Sequence, residues 1–180
     1  MNNVIIFPTD TVYGIGTKIT DKEGVNLIYQ IKKRPKDKPL AVLCANLAQI
    51  KSICIVDARA EKIINAFLPG PLTLILNSTK DGYSVTGLKT IGVRIPNLKE
   101  AITILEENGP MFTTSVNDSG SPSLDDYEVI KEKYGKMVSK IYPKQHASSH
   151  VPSSVLDLTK PDLVMLRQGA ITLEEIQKCL

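Results

Sequence analysis

Apolar residues recur in short runs separated by polar, glycine- and proline-rich stretches. The β-rich runs are VIIF (residues 4–7), LAVL (40–43), LTLIL (72–76), IGVRI (91–95), MFTTS (111–115), MVSKIY (137–142), SVLDL (154–158) and LVML (163–166). Helical patterns lie between them. Residues 21–33 put Val25, Ile28 and Ile31 on roughly one face, and this helix must stop near Arg34 because Pro35 disfavours helix before it. Residues 57–68, 98–108, 125–134 and 172–180 are the other candidates, the last opening with Thr172 and Glu175 in capping-box spacing. The mixture predicts an α/β (α+β) fold around a sheet of about seven strands.

Length and composition narrow this picture. The 180 residues suit one domain spanning 1–180, with no repeat, low-complexity tract or long linker to divide it. Hydrophobic residues make up 42% and charged residues 23%, and no apolar run approaches a membrane span. The N-terminus lacks the basic region and long apolar core of a signal peptide, so cytoplasmic localisation is expected. Cys44, Cys54 and Cys179 are widely spaced and odd in number, which predicts reduced structural thiols. A net charge of +3 permits an anionic ligand but does not select nucleic acid, since no aromatic-rich basic stripe accompanies it.

The candidate chemistry lies in the polar stretches between runs. FPTDTVYGIG carries Gly14 and Gly16 but has Ile19 where a dinucleotide fingerprint needs its third glycine, and no P-loop occurs anywhere. It reads either as a turn in which Thr9, Asp10 and Thr11 satisfy local backbone or as the polar edge of a pocket. In IKKRPKDKPLAVL, Lys32, Arg34 and Lys38 sit on a proline-stiffened connection between a helix end and a strand. Cations held there are either a solvated charge run or a clamp for phosphate oxygens. Pro69-Gly70-Pro71 predicts a structural turn. Arg94 interrupts the apolar run of residues 91–95 and therefore needs a partner, which leaves structural and anion-binding roles equally open. MFTTSVNDSGSPS brings Thr114, Ser115, Asn117 and Ser123 to a strand end, and HVPSS and LRQGAI add Ser153 and Arg167. His146 and His150 are four apart with no third ligand evident, so no metal site is expected from them.

In this order PTDTVYGIG, KKRP-x-DKPL, PGPLTLIL, GVRIP, TTSVNDSG, PSSVLDL and LRQGAI resemble the YrdC/TsaC family of threonylcarbamoyl-AMP synthases over nearly the whole chain. The resemblance implies a twisted mixed sheet lining a large positively charged cavity. It also implies an enzyme, a nucleotidyltransferase, that condenses L-threonine, bicarbonate and ATP into threonylcarbamoyl-adenylate and pyrophosphate. Other proteins would then transfer the threonylcarbamoyl group to the adenosine beside the anticodon of tRNA. The K-x-R and S-x-N signature falls on Lys32, Arg34, Ser115 and Asn117 as catalytic residues. By the same resemblance Thr9, Arg94, Thr114 and Ser153 hold threonine, and Arg34, Lys38, Thr90, Val116, Ser123 and Arg167 meet ATP. Mg²⁺ is expected to arrive with ATP, held mainly by phosphates and water.

Only residues 1–7 precede the PTDT stretch, where family members carry a helix and part of a strand, so a shortened first layer and the short, single-domain form are expected. Val116 replaces the alanine usual between Ser115 and Asn117, and Leu43 stands where longer relatives often have a polar residue. Two further readings accompany the synthase: a non-catalytic module binding double-stranded RNA or tRNA through shape and phosphates, and a YciO-type paralogue acting on another substrate.

Overall fold

The computed structural model describes residues 2–144 and 149–180. Among these residues one mixed sheet contains nine strands: β1 (Ile5–Phe7), β2 (Gly14–Lys18), β3 (Ala41–Leu43), β4 (Leu72–Asn77), β5 (Thr90–Arg94), β6 (Met111–Ser115), β7 (Lys140–Ile141), β8 (Ser154–Asp157) and β9 (Val164–Arg167). Their order is β7-β1-β2-β6-β3-β5-β4-β8-β9. Parallel pairing joins β1 to β7, β3 to β5 and β4 to β8, and the remaining neighbours are antiparallel.

Among the described residues there are seven helices, six between strands and the last after β9: α1 (Lys22–Ile31), α2 (Leu47–Ile53), α3 (Ala58–Phe67), α4 (Lys80–Thr86), α5 (Lys99–Asn108), α6 (Tyr127–Tyr134) and α7 (Leu173–Gln177). Side-chain caps explain most of their starts. Asp21, Asn46, Asp57, Thr79 and Asp126 each accept a hydrogen bond from a first-turn amide, and Thr172 with Glu175 forms the reciprocal capping box expected from sequence. The helix expected over 57–68 begins one residue later because Asp57 is its cap. Helices α2 and α4, of seven residues each, are additions that their short apolar patterns did not announce.

The other addition is β2. Its sequence GIGTK has little strand character, yet it pairs with β1 on one side and β6 on the other. The glycines answer to packing. A Cβ on Gly14 would lie 2.7 Å from Thr113 Cγ2, and one on Gly16 would lie 2.8 Å from the Phe112 carbonyl oxygen. Conversely, of the run expected over 137–142 only Lys140 and Ile141 pair as strand.

Strand alternation then divides the molecule. Val42, Leu72, Leu74, Leu76, Ile91, Val93 and Phe112 are buried in the main core, together with Ile28 of α1 and Ile63 of α3. The alternate positions of the same strands belong to the opposite face. Part of that face is covered by α5, whose Ala101, Ile104 and Leu105 pack with Phe7, Leu43 and Met111 in a second cluster. The part left uncovered is the floor of a cavity. Cys44 and Cys54 are buried and unpaired, and among the described residues no helix is long and apolar enough to cross a membrane.

Candidate active site

The cavity has a volume of about 370 Å³, and its floor follows the two-residue period of the sheet. Ala41 and Leu43 come from β3, Thr73 and Ile75 from β4, Thr90, Gly92 and Arg94 from β5, and Thr113 and Ser115 from β6. Every polar floor residue is thus one position from a core residue. That explains Arg94: in an otherwise apolar strand its neighbour Val93 faces the core, while Arg94 itself faces the cavity.

Arg94 is only 6% exposed and is fully engaged on one side. Its Nε donates to the Gly70 carbonyl (2.9 Å), its Nη1 donates to Thr11 Oγ1 (2.8 Å), and its Nη2 pairs with the Asp10 carboxylate. The partner that sequence demanded is therefore Asp10. Burial pulls the guanidinium downward from its usual range, and the Asp10 charge opposes this. Three of its five N–H donors are used in these bonds, so two are left without a partner among the described residues, on a side chain that lines the cavity.

The loop between β1 and β2 satisfies both readings of FPTDTVYGIG at once. Thr9 Oγ1 donates to the Val12 carbonyl (2.7 Å) and accepts from the amides of Thr11 and Val12, which is a hydroxyl-capped turn. It also lies 3.0 Å from Thr11 Oγ1, so a chain of hydrogen bonds runs from Arg94 through Thr11 to Thr9. Both threonines line the cavity. The turn and the pocket wall are one structure.

Arg34, partly buried, also lines the cavity. Its Nε donates to the Lys38 carbonyl (3.0 Å) and its Nη2 to the Pro39 carbonyl (3.1 Å), which fixes the guanidinium against its own loop. On the C-terminal side, Arg167 Nε donates to the Ser153 carbonyl (2.9 Å), while Ser153 Oγ lies 2.8 Å from Thr73 Oγ1. Burial draws the Arg167 guanidinium downward as well. Three arginines from three distant parts of the chain thus line one cavity, and no aspartate or glutamate is among its lining residues.

Of the residues proposed from sequence, Thr9, Arg34, Thr90, Arg94, Thr114, Ser115, Ser123, Ser153 and Arg167 line the cavity. Lys32, Lys38, Val116 and Asn117 do not. Lys32 stands behind the lining: it is 2% exposed, and its Nζ donates to the Ser115 carbonyl (2.5 Å), the Asn117 carbonyl (2.8 Å) and Asn117 Oδ1 (2.6 Å). Burial and the nearby Arg34 charge pull its pKa down to about 8. All three ammonium protons hold the turn after β6, so Lys32 braces the wall from behind. Asn117 belongs to the same brace, accepting from Ser115 Oγ (2.8 Å) and donating to the Ser121 carbonyl. Val116 is buried through its amide bond to the Tyr13 carbonyl (3.1 Å) and its place in the core. Lys38 serves through its main-chain carbonyl, while its side chain lies outside the lining.

Sequence reasoning passed over Thr73 and, although it offered the stretch holding Asp10 and Thr11 as a pocket edge, gave neither of them a role. The available signal for Thr73 was a lone hydroxyl in an apolar strand, the same kind that exposed Arg94. For the histidine pair, His146 lies outside the described residues, and His150 Nδ1 sits 3.1 Å from Asp125 Oδ2. Among the described residues no group of three or more His, Cys, Asp or Glu is placed to hold a metal.

Fold and site together define a class: an α/β protein with a sheet-floored cavity lined by arginines and hydroxyls. A family model described as "Sua5_yciO_yrdC: Telomere recombination" matches residues 1–169. Threonylcarbamoyl-AMP synthase of Pyrococcus abyssi is 36% identical over 182 residues, covering 98% of this chain and 53% of that protein. The structure of P. abyssi Sua5 complexed with L-threonine superposes with a TM-score of 0.90 at 34% identity, covering 99% of this chain and 54% of that one. The structure of Escherichia coli YciO gives a TM-score of 0.86 at 31% identity, covering 97% and 86%. The chain belongs to the Sua5/YciO/YrdC family. It spans about half the length of the P. abyssi relative.

Proposed function

We propose that this chain is a threonylcarbamoyl-AMP synthase. Its substrates are L-threonine, bicarbonate and ATP, and its products are threonylcarbamoyl-adenylate and pyrophosphate, which supply threonylcarbamoyladenosine modification of tRNA. The observation that carries the reading is the convergence of Arg34, Arg94 and Arg167 on a hydroxyl-rich cavity whose lining has no carboxylate. Bicarbonate and ATP are anions and threonine carries a carboxylate, so such a lining favours a negative group on each of them. Kinship with proteins named for this activity, and with one whose structure was determined with L-threonine, supports the choice of substrates.

The chemistry needs no protein nucleophile. The threonine nitrogen adds to bicarbonate carbon, water is lost, and the resulting carbamate oxygen attacks the α-phosphorus as the bond to pyrophosphate breaks. Negative charge grows on oxygens throughout, and the protein contributes fixed donors that need not reorganise. Arg94 presents its two remaining N–H groups to the threonine carboxylate, with Thr9 and Thr11 alongside. Thr114 and Ser153 would join them on threonine, while Thr90 and Ser115 would meet the nucleotide and Ser123, Arg34 and Arg167 the phosphates. A magnesium ion fits this lining only if ATP brings it, since hydroxyls and carbonyls without a carboxylate make a poor dedicated site. The ion would screen phosphate charge.

Incubating the purified chain with ATP, labelled bicarbonate and L-threonine tests the reading. Threonine-dependent formation of labelled adenylate and pyrophosphate is expected. Pyrophosphate release without dependence on threonine would favour a YciO-type paralogue with another substrate, and tight RNA binding without any turnover would favour the binding module.

A further inference from the structure

A second concavity of about 430 Å³ opens on the outer side of α1, lined by Asn26, Tyr29, Gln30, Lys33, Arg34 and Lys36. Three of these are cations and none is a carboxylate; Asp37, in the same loop, is exposed and outside the lining. Arg34 lines both this groove and the main cavity, so the two share a wall. The shared wall is also fixed: Tyr29 Oη and Arg34 Nε donate to the same carbonyl, that of Lys38, at 3.0 Å each.

The backbone supplies an independent observation. Lys33 has φ of 49°, the left-handed conformation that closes α1, where its amide bonds to the Gln30 carbonyl (3.1 Å) and the next amide, of Arg34, reaches back to the Tyr29 carbonyl (3.0 Å). Glycine or asparagine ordinarily occupies such a position because a longer side chain is strained there. A lysine held in that conformation, with its side chain on the groove, fits a position kept for its charge.

We propose that this groove is a second anion site that takes pyrophosphate as it leaves the main cavity, passing it from Arg34 to Lys33 and Lys36. The identity of the anion as pyrophosphate, a reaction product, rests on the synthase reading; the groove's preference for an anion does not. An in-line displacement expels the leaving group away from the attacking carbamate, and a path of cations outward from Arg34 lowers the cost of releasing so highly charged a product.

The test is calorimetric titration of inorganic pyrophosphate into the intact chain, compared with Lys33→Asn, Lys36→Gln and the double variant. Asparagine tolerates the left-handed conformation, so Lys33→Asn should unfold at or above the wild-type temperature while losing the charge. The intact chain should show two pyrophosphate sites, one in the main cavity and one in the groove; each single variant should weaken the groove site several-fold and the double variant more than tenfold, with product inhibition relaxed in parallel and KM for threonine unchanged. Wild-type pyrophosphate affinity in the folded double variant overturns the proposal, as does loss of short double-stranded RNA binding with pyrophosphate binding intact. A chain that makes no adenylate but binds pyrophosphate through Lys33 and Lys36 would sink the synthase reading and uphold the groove.

Discussion

Buried charge governs what single residues do here. Arg94 and Asp10 have side chains 7% and 15% exposed, so removing one partner strands the other in a poorly solvated place. Asp10→Asn should therefore cost about 3 kcal/mol of stability, the usual scale for breaking a buried pair, measured as a lower urea midpoint. Lys32 makes a different prediction through pH. Its folded pKa of about 8 lies below the ordinary lysine value, so the folded chain sheds this proton before the unfolded chain does. Stability from this group then rises with pH between about 8 and the unfolded lysine pKa, and is constant below that window. Across that range the difference in urea midpoint between wild type and Lys32→Met should grow in favour of the wild type. This comes on top of a fall common to both chains from the buried Cys44 and Cys54 thiols, whose pKa values burial raises. Because Lys32 holds the Ser115 to Asn117 turn by three bonds, Lys32→Ala should also lower stability, not turnover alone.

At the scale of elements, the strands with strong alternation and the helices with caps were readable, and each failure has a local cause. β2 was hidden because Gly14 and Gly16 carry no strand propensity; they are present so that β6 can approach. Gly16→Ala would press its methyl against the Phe112 carbonyl, a backbone atom that cannot swing aside, and should cost about 1–3 kcal/mol of stability. Circular dichroism at room temperature should stay native-like while the melting temperature drops. Helices α2 and α4 were missed because seven residues give too short a pattern, although their caps Asn46 and Thr79 were visible letters. The capping box at Thr172 was legible because both of its residues lie within one turn.

Across the whole molecule, the cavity joins loops and strands that are distant in the chain, so ligands should act on global stability. If the chain is the proposed synthase, ATP and threonine each at about 100 times their dissociation constants should add about 2.7 kcal/mol per ligand by linkage and raise the melting temperature several degrees. Differential scanning calorimetry checks this, and the increments should shrink in Arg94→Lys for threonine. Arg34→Ala, at a residue bonded only to neighbouring backbone, should reduce synthesis on the order of 100-fold or more while leaving the melting temperature near wild type.

Local order was determined by the sequence itself: runs of alternating apolar residues, helix caps one turn apart, and the need of Arg94 for a counter-charge all follow from neighbours along the chain. Its motifs also supplied most of the residues that line the cavity. Only the tertiary structure decided that Asp10 is the counter-charge, that Lys32 faces inward behind the wall, and that Thr11 and Thr73 join the site. These depend on contacts between segments up to about a hundred residues apart. A side chain's chemistry can be read from its letter, but whether its donors are spent on carbonyls or left for a ligand is set by what folding brings within 3 Å.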